Sequence, residues 1–342
     1  METKSIDLVN IGLMLIACVA AYVLPFELFL FSYAVLGPLH YLTEISWLHE
    51  RQYFTTGKFD YIVFVVLGVL LTVLVLFGTT PEEQRAANTI LFMCFAAGLA
   101  MVVFDSWLLK IAVLVIAMVI GYGISTFDSF QIAVGVFLPT LIHVFLFTAI
   151  FMVYGALKSK STTGVLSAII FGLCAISFFF FRPAFTAFEP SDFIVKSMTG
   201  SKFIVPLIML MKMLHMGAVT METVFHSMAG KTAMRFMAFA YTYHYLNWFS
   251  KTSVIKWHKV PKKRLAAVVA IWVASVALYA YDYVTGLEWL FLLSMMHVFL
   301  EFPLNFRSFI GIGEELKKMI SAPQPAPQLD VCPVSSKQKK KK

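Results

Sequence analysis

Apolar residues in this chain gather in long runs that are nearly free of charge and are separated by short polar segments. The stretches 61–78, 90–104 and 265–281 show this most plainly. Each is at or close to the roughly 20 residues that a helix needs to cross a bilayer. The polar breaks predict helices over 6–25, 27–48, 60–78, 88–105, 108–124, 130–157, 163–181, 203–228, 232–250, 265–286 and 288–311. Only Ser106 and Trp107 separate two of these, which can be one bent element, so the expectation is about ten spans, with a range of about nine to eleven. The runs do not alternate with the period of barrel strands, and open strands leave unpaired backbone groups in lipid. The predicted fold is therefore an all-α, polytopic transmembrane helix bundle: a single transmembrane domain over 1–314, then a tail over 315–342.

Composition narrows the class further. Of 342 residues, 60% are apolar, 13% are charged and 34 are phenylalanine; soluble chains run near 45–50% apolar and about 25% charged. That excludes a cytosolic enzyme, a DNA-binding domain and a disulfide-stapled secreted module. Cys18, Cys94, Cys174 and Cys332 show no C-x-x-C spacing, so neither a disulfide framework nor a zinc-finger pattern is expected. The first apolar run reads as a retained span, because a second follows at once. Trp47, Trp107, Trp257 and Trp289 fit an aromatic belt at the headgroups.

The net charge of +8 is concentrated in the loop 251–264, with its KWHKVPKKR, and in the tail, with Lys317, Lys318, Lys337 and the terminal lysines. Both should face the cytoplasm, where they would attract anionic lipid. No nucleic-acid partner is needed to explain them. The tail also holds SAPQPAPQ, which lacks a core pattern and is expected to be disordered. The segment 182–202 is expected to be a loop across the mouth of the bundle.

Candidate chemistry comes from ionisable residues within the spans, where an ionised side chain costs about 2.5–3.5 kcal/mol at a helix centre. His40 and Glu44 lie in GPLHYLTEISW and His143 in PTLIHVFLF. His215, Glu222 and His226 lie in KMLHMGAVTMETVFH, His244 in YTYHYLNW, and His297 and Glu301 in MMHVFLEF. His40/Glu44, Glu222/His226 and His297/Glu301 are four apart, so each pair shares a helix face. Alternating span directions put the three sets at a similar depth. Lys212 is the one nearby counter-charge, leaving a metal ion or bound protons to neutralise the carboxylates. Imidazole with carboxylate suits iron, zinc or manganese, and nine ligands suit a two-metal site. The expected cofactor is iron, as two ions, ahead of zinc or of copper, for which Met209, Met211, Met213 and Met216 speak. Tyr241, Asn247 and Asn305 are placed to orient the imidazoles.

The segment HYLTEISWLHERQYF, residues 40–54, with His40 and Glu44 at its core, resembles the bacterial bacteriorhodopsin-related, β-carotene-dioxygenase-like membrane proteins. The resemblance implies a non-haem iron centre and oxidative attack on a long polyene or isoprenoid. The H-x-x-H-H boxes of membrane desaturases and hydroxylases are absent, which argues against fatty-acid desaturation. The expected function is a membrane-embedded iron oxygenase or oxidase. Its partners would be a hydrophobic lipid or isoprenoid substrate, dioxygen and an electron donor. A proton- or ion-coupled transporter with His/Glu relays is the rival, and a non-catalytic haem- or lipid-binding protein is the third reading.

Overall fold

A computed structural model describes residues 3–181, 183, 189–251, 256 and 259–321. Among them no strand occurs. The helices are α1 (Thr3–Val23), α2 (Pro25–Glu50), α3 (Tyr61–Phe77), α4 (Pro81–Val103), α5 (Trp107–Ile124), α6 (Asp128–Ser159) and α7 (Thr162–Phe180). They continue as α8 (Asp192–Gly200), α9 (Ile204–Met213), α10 (Met221–His226), α11 (Met228–Ser250), α12 (Lys262–Tyr281) and α13 (Tyr283–Ser321). Eight are long and apolar enough to cross a membrane, or nine if the bent pair α8 and α9 is one span. The chain is a multi-pass membrane protein.

Local chemistry sets the helix ends. Thr80 caps α4 by accepting from the Glu83 N–H while Glu83 returns a carboxylate to the Thr80 N–H, and Pro81 occupies the first turn, where a missing N–H costs nothing. Two spans carry π-helical turns, Ser32–Leu36 in α2 and Gln131–Phe147 in α6. Pro139 sits inside the second, where it cannot donate to the i−4 carbonyl of an α-helix.

The predicted span 203–228 does not form. Its chain leaves the helix after Met213, because His215 has φ 50° and Gly217 φ 96°, the left-handed region that ends a helix. A separate short helix, α10, begins after the Thr220 cap. The expected loop 182–202 contains α8, which Ser191 caps and which meets α9 at 84°. The expected tail is helical through Ser321; residues 322–342, with Cys332, and the belt residue Trp257 lie outside the described residues.

α11 runs through the centre of the bundle and is buried over most of its length. It packs on α1, α2 and α7, while α13 packs on α3, α4 and α6. At one face α1 and α7 begin where α6 and α11 end. There the Asp7 carboxylate accepts from the Ser161 and Thr163 hydroxyls, each at 2.7 Å, and the Ser250 hydroxyl donates to Asn10 Oδ1 at 2.8 Å.

Candidate metal centre

α2, α6, α11 and α13 each bring one histidine to the same place. His40, His143, His244 and His297 are all buried. Ring centroids are 4.7 Å apart for His40–His244, 4.9 Å for His143–His244, 5.1 Å for His143–His297 and 5.4 Å for His40–His297. The Nε2 atoms point inward: His40 to His244 is 3.1 Å and His143 to His297 is 3.2 Å. His40, His244 and His297 offer nitrogens all within 4.8 Å of one another.

Two carboxylates join them, one turn along from a histidine on α2 and on α13. Glu44 Oε2 lies 3.1 Å from His40 Nε2, and Glu301 Oε2 lies 3.2 Å from His143 Nδ1. Neither oxygen finds a hydrogen-bond partner among the described residues, although both are buried. Nor, among those residues, does a Lys or Arg pair with either carboxylate. The buried cations are used elsewhere. Lys110 binds Asp60 at 2.8 and 2.9 Å, Lys231 pairs with Glu189, and Arg235 donates to the Tyr22 carbonyl and lies over the Tyr22 ring. Lys212, the expected counter-charge, is exposed at the end of α9.

A hydroxyl that sequence reasoning missed fixes the tautomer of His244. Thr148 Oγ1 donates its one proton to the Val144 carbonyl at 2.8 Å. Its contact with His244 Nδ1, also 2.8 Å, must then be an accepted hydrogen bond. His244 therefore carries its proton on Nδ1 and turns the Nε2 lone pair into the cluster, the form that binds a metal. Thr148 reads in the sequence as one polar position in an apolar run; only its place one helical stretch after His143 hints at a role. Tyr41 stacks on His297, and Trp248 packs edge-on to His40 while donating to Thr43 Oγ1 at 3.0 Å.

The other predicted ligands are not brought to this place. His215 and Glu222 are exposed, beyond α9 and at the start of α10. His226 pairs with Glu189 at 2.8 Å, well exposed. The shared stripe expected for these three required one continuous helix, which the break at His215–Gly217 removes. Of the residues expected to orient the imidazoles, Asn247 lines the cavity beside the cluster, whereas Tyr241 belongs to an aromatic group with Phe29 and Tyr33. Asn305 is buried, and neither of its side-chain atoms finds a hydrogen-bond partner among the described residues.

A cavity of about 420 Å³ reaches the cluster. His40, Glu44, His244 and Glu301 line one part, apolar side chains such as Trp47, Phe151 and Trp248 another, and polar groups including Asp7, Lys158 and Lys251 a third.

The donor set fits a metal ion. Two imidazole nitrogens bound at about 2.0–2.1 Å lie roughly 2.8–3.4 Å apart at octahedral or tetrahedral angles, and the observed pairs fall in that interval. Haem fits poorly, since a porphyrin cannot pass between Nε2 atoms 3.1 Å apart. No protein-family model, curated protein or solved structure matches this chain.

Proposed function

We propose that the chain is a metal-dependent membrane oxidoreductase that holds iron on His40, His143, His244 and His297 and oxidises a hydrophobic lipid or isoprenoid. The observation that carries this reading is the convergence of four imidazole nitrogens beside two buried carboxylate oxygens that no side-chain cation among the described residues neutralises. Six of the nine expected ligands are together, and His40, His244 and His297 offer nitrogens within 4.8 Å of one another, with His143 Nε2 3.2 Å from His297, which favours one ion over two. The methionines that pointed to copper flank His215, away from this point, and imidazole with carboxylate suits iron. Bound iron supplies the redox chemistry that dioxygen needs. The protein's own part is to orient the imidazoles through Thr148 and Glu301, exclude bulk water, and line the approach with aromatic and aliphatic walls. An electron donor and dioxygen are the partners this chemistry calls for.

The same reading has ten spans, adding α3 and the polar but central α11 to the eight apolar helices, with α8 and α9 as a bent pair at one face. The face holding Lys158, Lys160, Lys251 and the 259–264 segment is the more basic and is read as cytoplasmic.

Metal analysis of purified protein tests the proposal. About one iron per chain is expected, and His40→Ala or His297→Ala should remove most of it, whereas His215→Ala and His226→Ala should not. Protein that carries no stoichiometric metal would overturn the reading.

A further inference from the structure

The cavity has a direction. Its lining residues on α6 run from Thr148 through Phe151 and Tyr154 to Lys158 and Ser159, and on α11 from His244 through Trp248 to Lys251 just past the helix end. Asp7 of α1 and Gly164 of α7 line it as well. These belong to the face where α1 and α7 begin, so the space extends from the imidazole cluster to that face. At 1.5 Å per helical residue, Thr148 lies about 15 Å from Lys158 along α6, and His244 about 10 Å from Lys251.

Polarity changes along this path. The inner end carries histidine and glutamate; Trp47, Phe151, Met152, Trp248 and Leu304 line the apolar stretch; Lys158, Lys251 and Asp7 stand at the mouth. The Asp7 carboxylate already accepts two hydroxyl hydrogen bonds, from Ser161 and Thr163. Lys158 donates only to the Tyr154 hydroxyl, at 3.4 Å, and neither lysine forms an ion pair among the described residues. Two lysines against one engaged carboxylate leave the mouth positive. Its volume of about 420 Å³ is near the lower end of small-molecule sites, which span about 300–1,000 Å³. That suits one apolar chain better than a diacyl lipid.

We propose that this cavity binds a single-chain amphiphile, its anionic headgroup held by Lys158 and Lys251 at the mouth and its apolar chain laid along Trp47 and Trp248 toward the imidazole cluster. The inference rests on the oxidoreductase reading only for the fate of the chain; the binding stands on the cavity itself. Lysine ammonium groups are point charges that accept a carboxylate or a phosphate equally, so the headgroup is defined by its negative charge.

Trp47 and Trp248 make binding visible, because bromine quenches indole fluorescence on contact. Full-length protein in detergent is titrated with dibromostearate, with its methyl ester and with a dibrominated alkyl phosphate. The acid or the phosphate should quench at a concentration at least tenfold below the ester, and whichever binds tighter identifies the head. Trp47→Phe with Trp248→Phe should abolish the saturable part of the quenching. Lys158→Gln with Lys251→Gln should bring acid, phosphate and ester to equal affinity while leaving metal content unchanged. Equal binding of ester and both anions by the unmodified protein overturns the inference without any variant having to fold. Iron measured on the same samples separates the two proposals: anion preference without metal removes only the oxidoreductase reading, and metal without preference removes only this one.

Discussion

At the scale of single residues, the site depends on groups that hold a ligand as much as on the ligands. Thr148→Val keeps the shape of the side chain and removes the oxygen that fixes the His244 tautomer. Losing such a supporting hydrogen bond typically costs about 10–100-fold in metal affinity. A fall of that size is expected in chelator competition, with Thr148→Ser restoring affinity. The Lys110–Asp60 pair tests stability separately from chemistry. Both side chains are fully buried, and Asp60 also accepts from the Gly57 N–H at 2.9 Å. Asp60→Asn strands a buried ammonium, which should cost about 3–5 kcal/mol in denaturant unfolding. Replacing both partners, Asp60→Leu with Lys110→Met, should recover most of that loss.

At the scale of elements, the positions of α2 and α13 set the site, since each supplies a His and a Glu one turn apart. α13 is held against α4 at Gly98, where an added Cβ would sit 2.6 Å from Phe302 Cβ and 3.2 Å from its carbonyl carbon. Phe302 follows Glu301, so any larger residue at Gly98 pushes on the helix turn that carries the carboxylate. Gly98→Leu should cost about 1–3 kcal/mol and lower metal retention as well. Gly123→Leu is the control, because nothing lies within 4 Å of its added Cβ. Equal effects of the two substitutions would show that helix contact at Gly98 does not position Glu301. The π-helical turns act on the same scale. They precede His40 in α2 and contain His143 in α6, and wider turns change which face a following side chain occupies.

At the scale of the whole molecule, four spans that are distant in sequence close on one point, so metal binding should stabilise the assembled bundle. A strong chelator is expected to lower the melting temperature of the unmodified protein. Glu44→Gln with Glu301→Gln should fold, hold less metal and respond less to the chelator, since amide oxygens are poorer ligands than carboxylates. A proton relay makes the opposite forecast: no chelator effect on either protein, and proton flux in reconstituted vesicles that the double variant loses.

Much of this was legible in the chain. Charge-poor apolar runs dictate helices in lipid because no other backbone arrangement there pairs its own polar groups. The spacing of His40 to Glu44 and of His297 to Glu301 puts each pair on one face. Those are local or one-dimensional facts. Alternating spans predict opposite directions for the His40 and His297 helices, whereas α2 and α13 run parallel, with Tyr283 on Leu30, Ser294 on Tyr33 and Arg307 on Phe54. The exclusion of His215, Glu222 and His226 was not legible, because a stripe argument assumes an unbroken helix and the left-handed turn at His215–Gly217 breaks it. Thr148 on His244, Asp60 on Lys110 and the cavity mouth between Lys158 and Lys251 join residues from separate spans. Which spans meet is decided by packing, through close approaches such as Gly98 against Phe302, and packing has no period that a sequence displays.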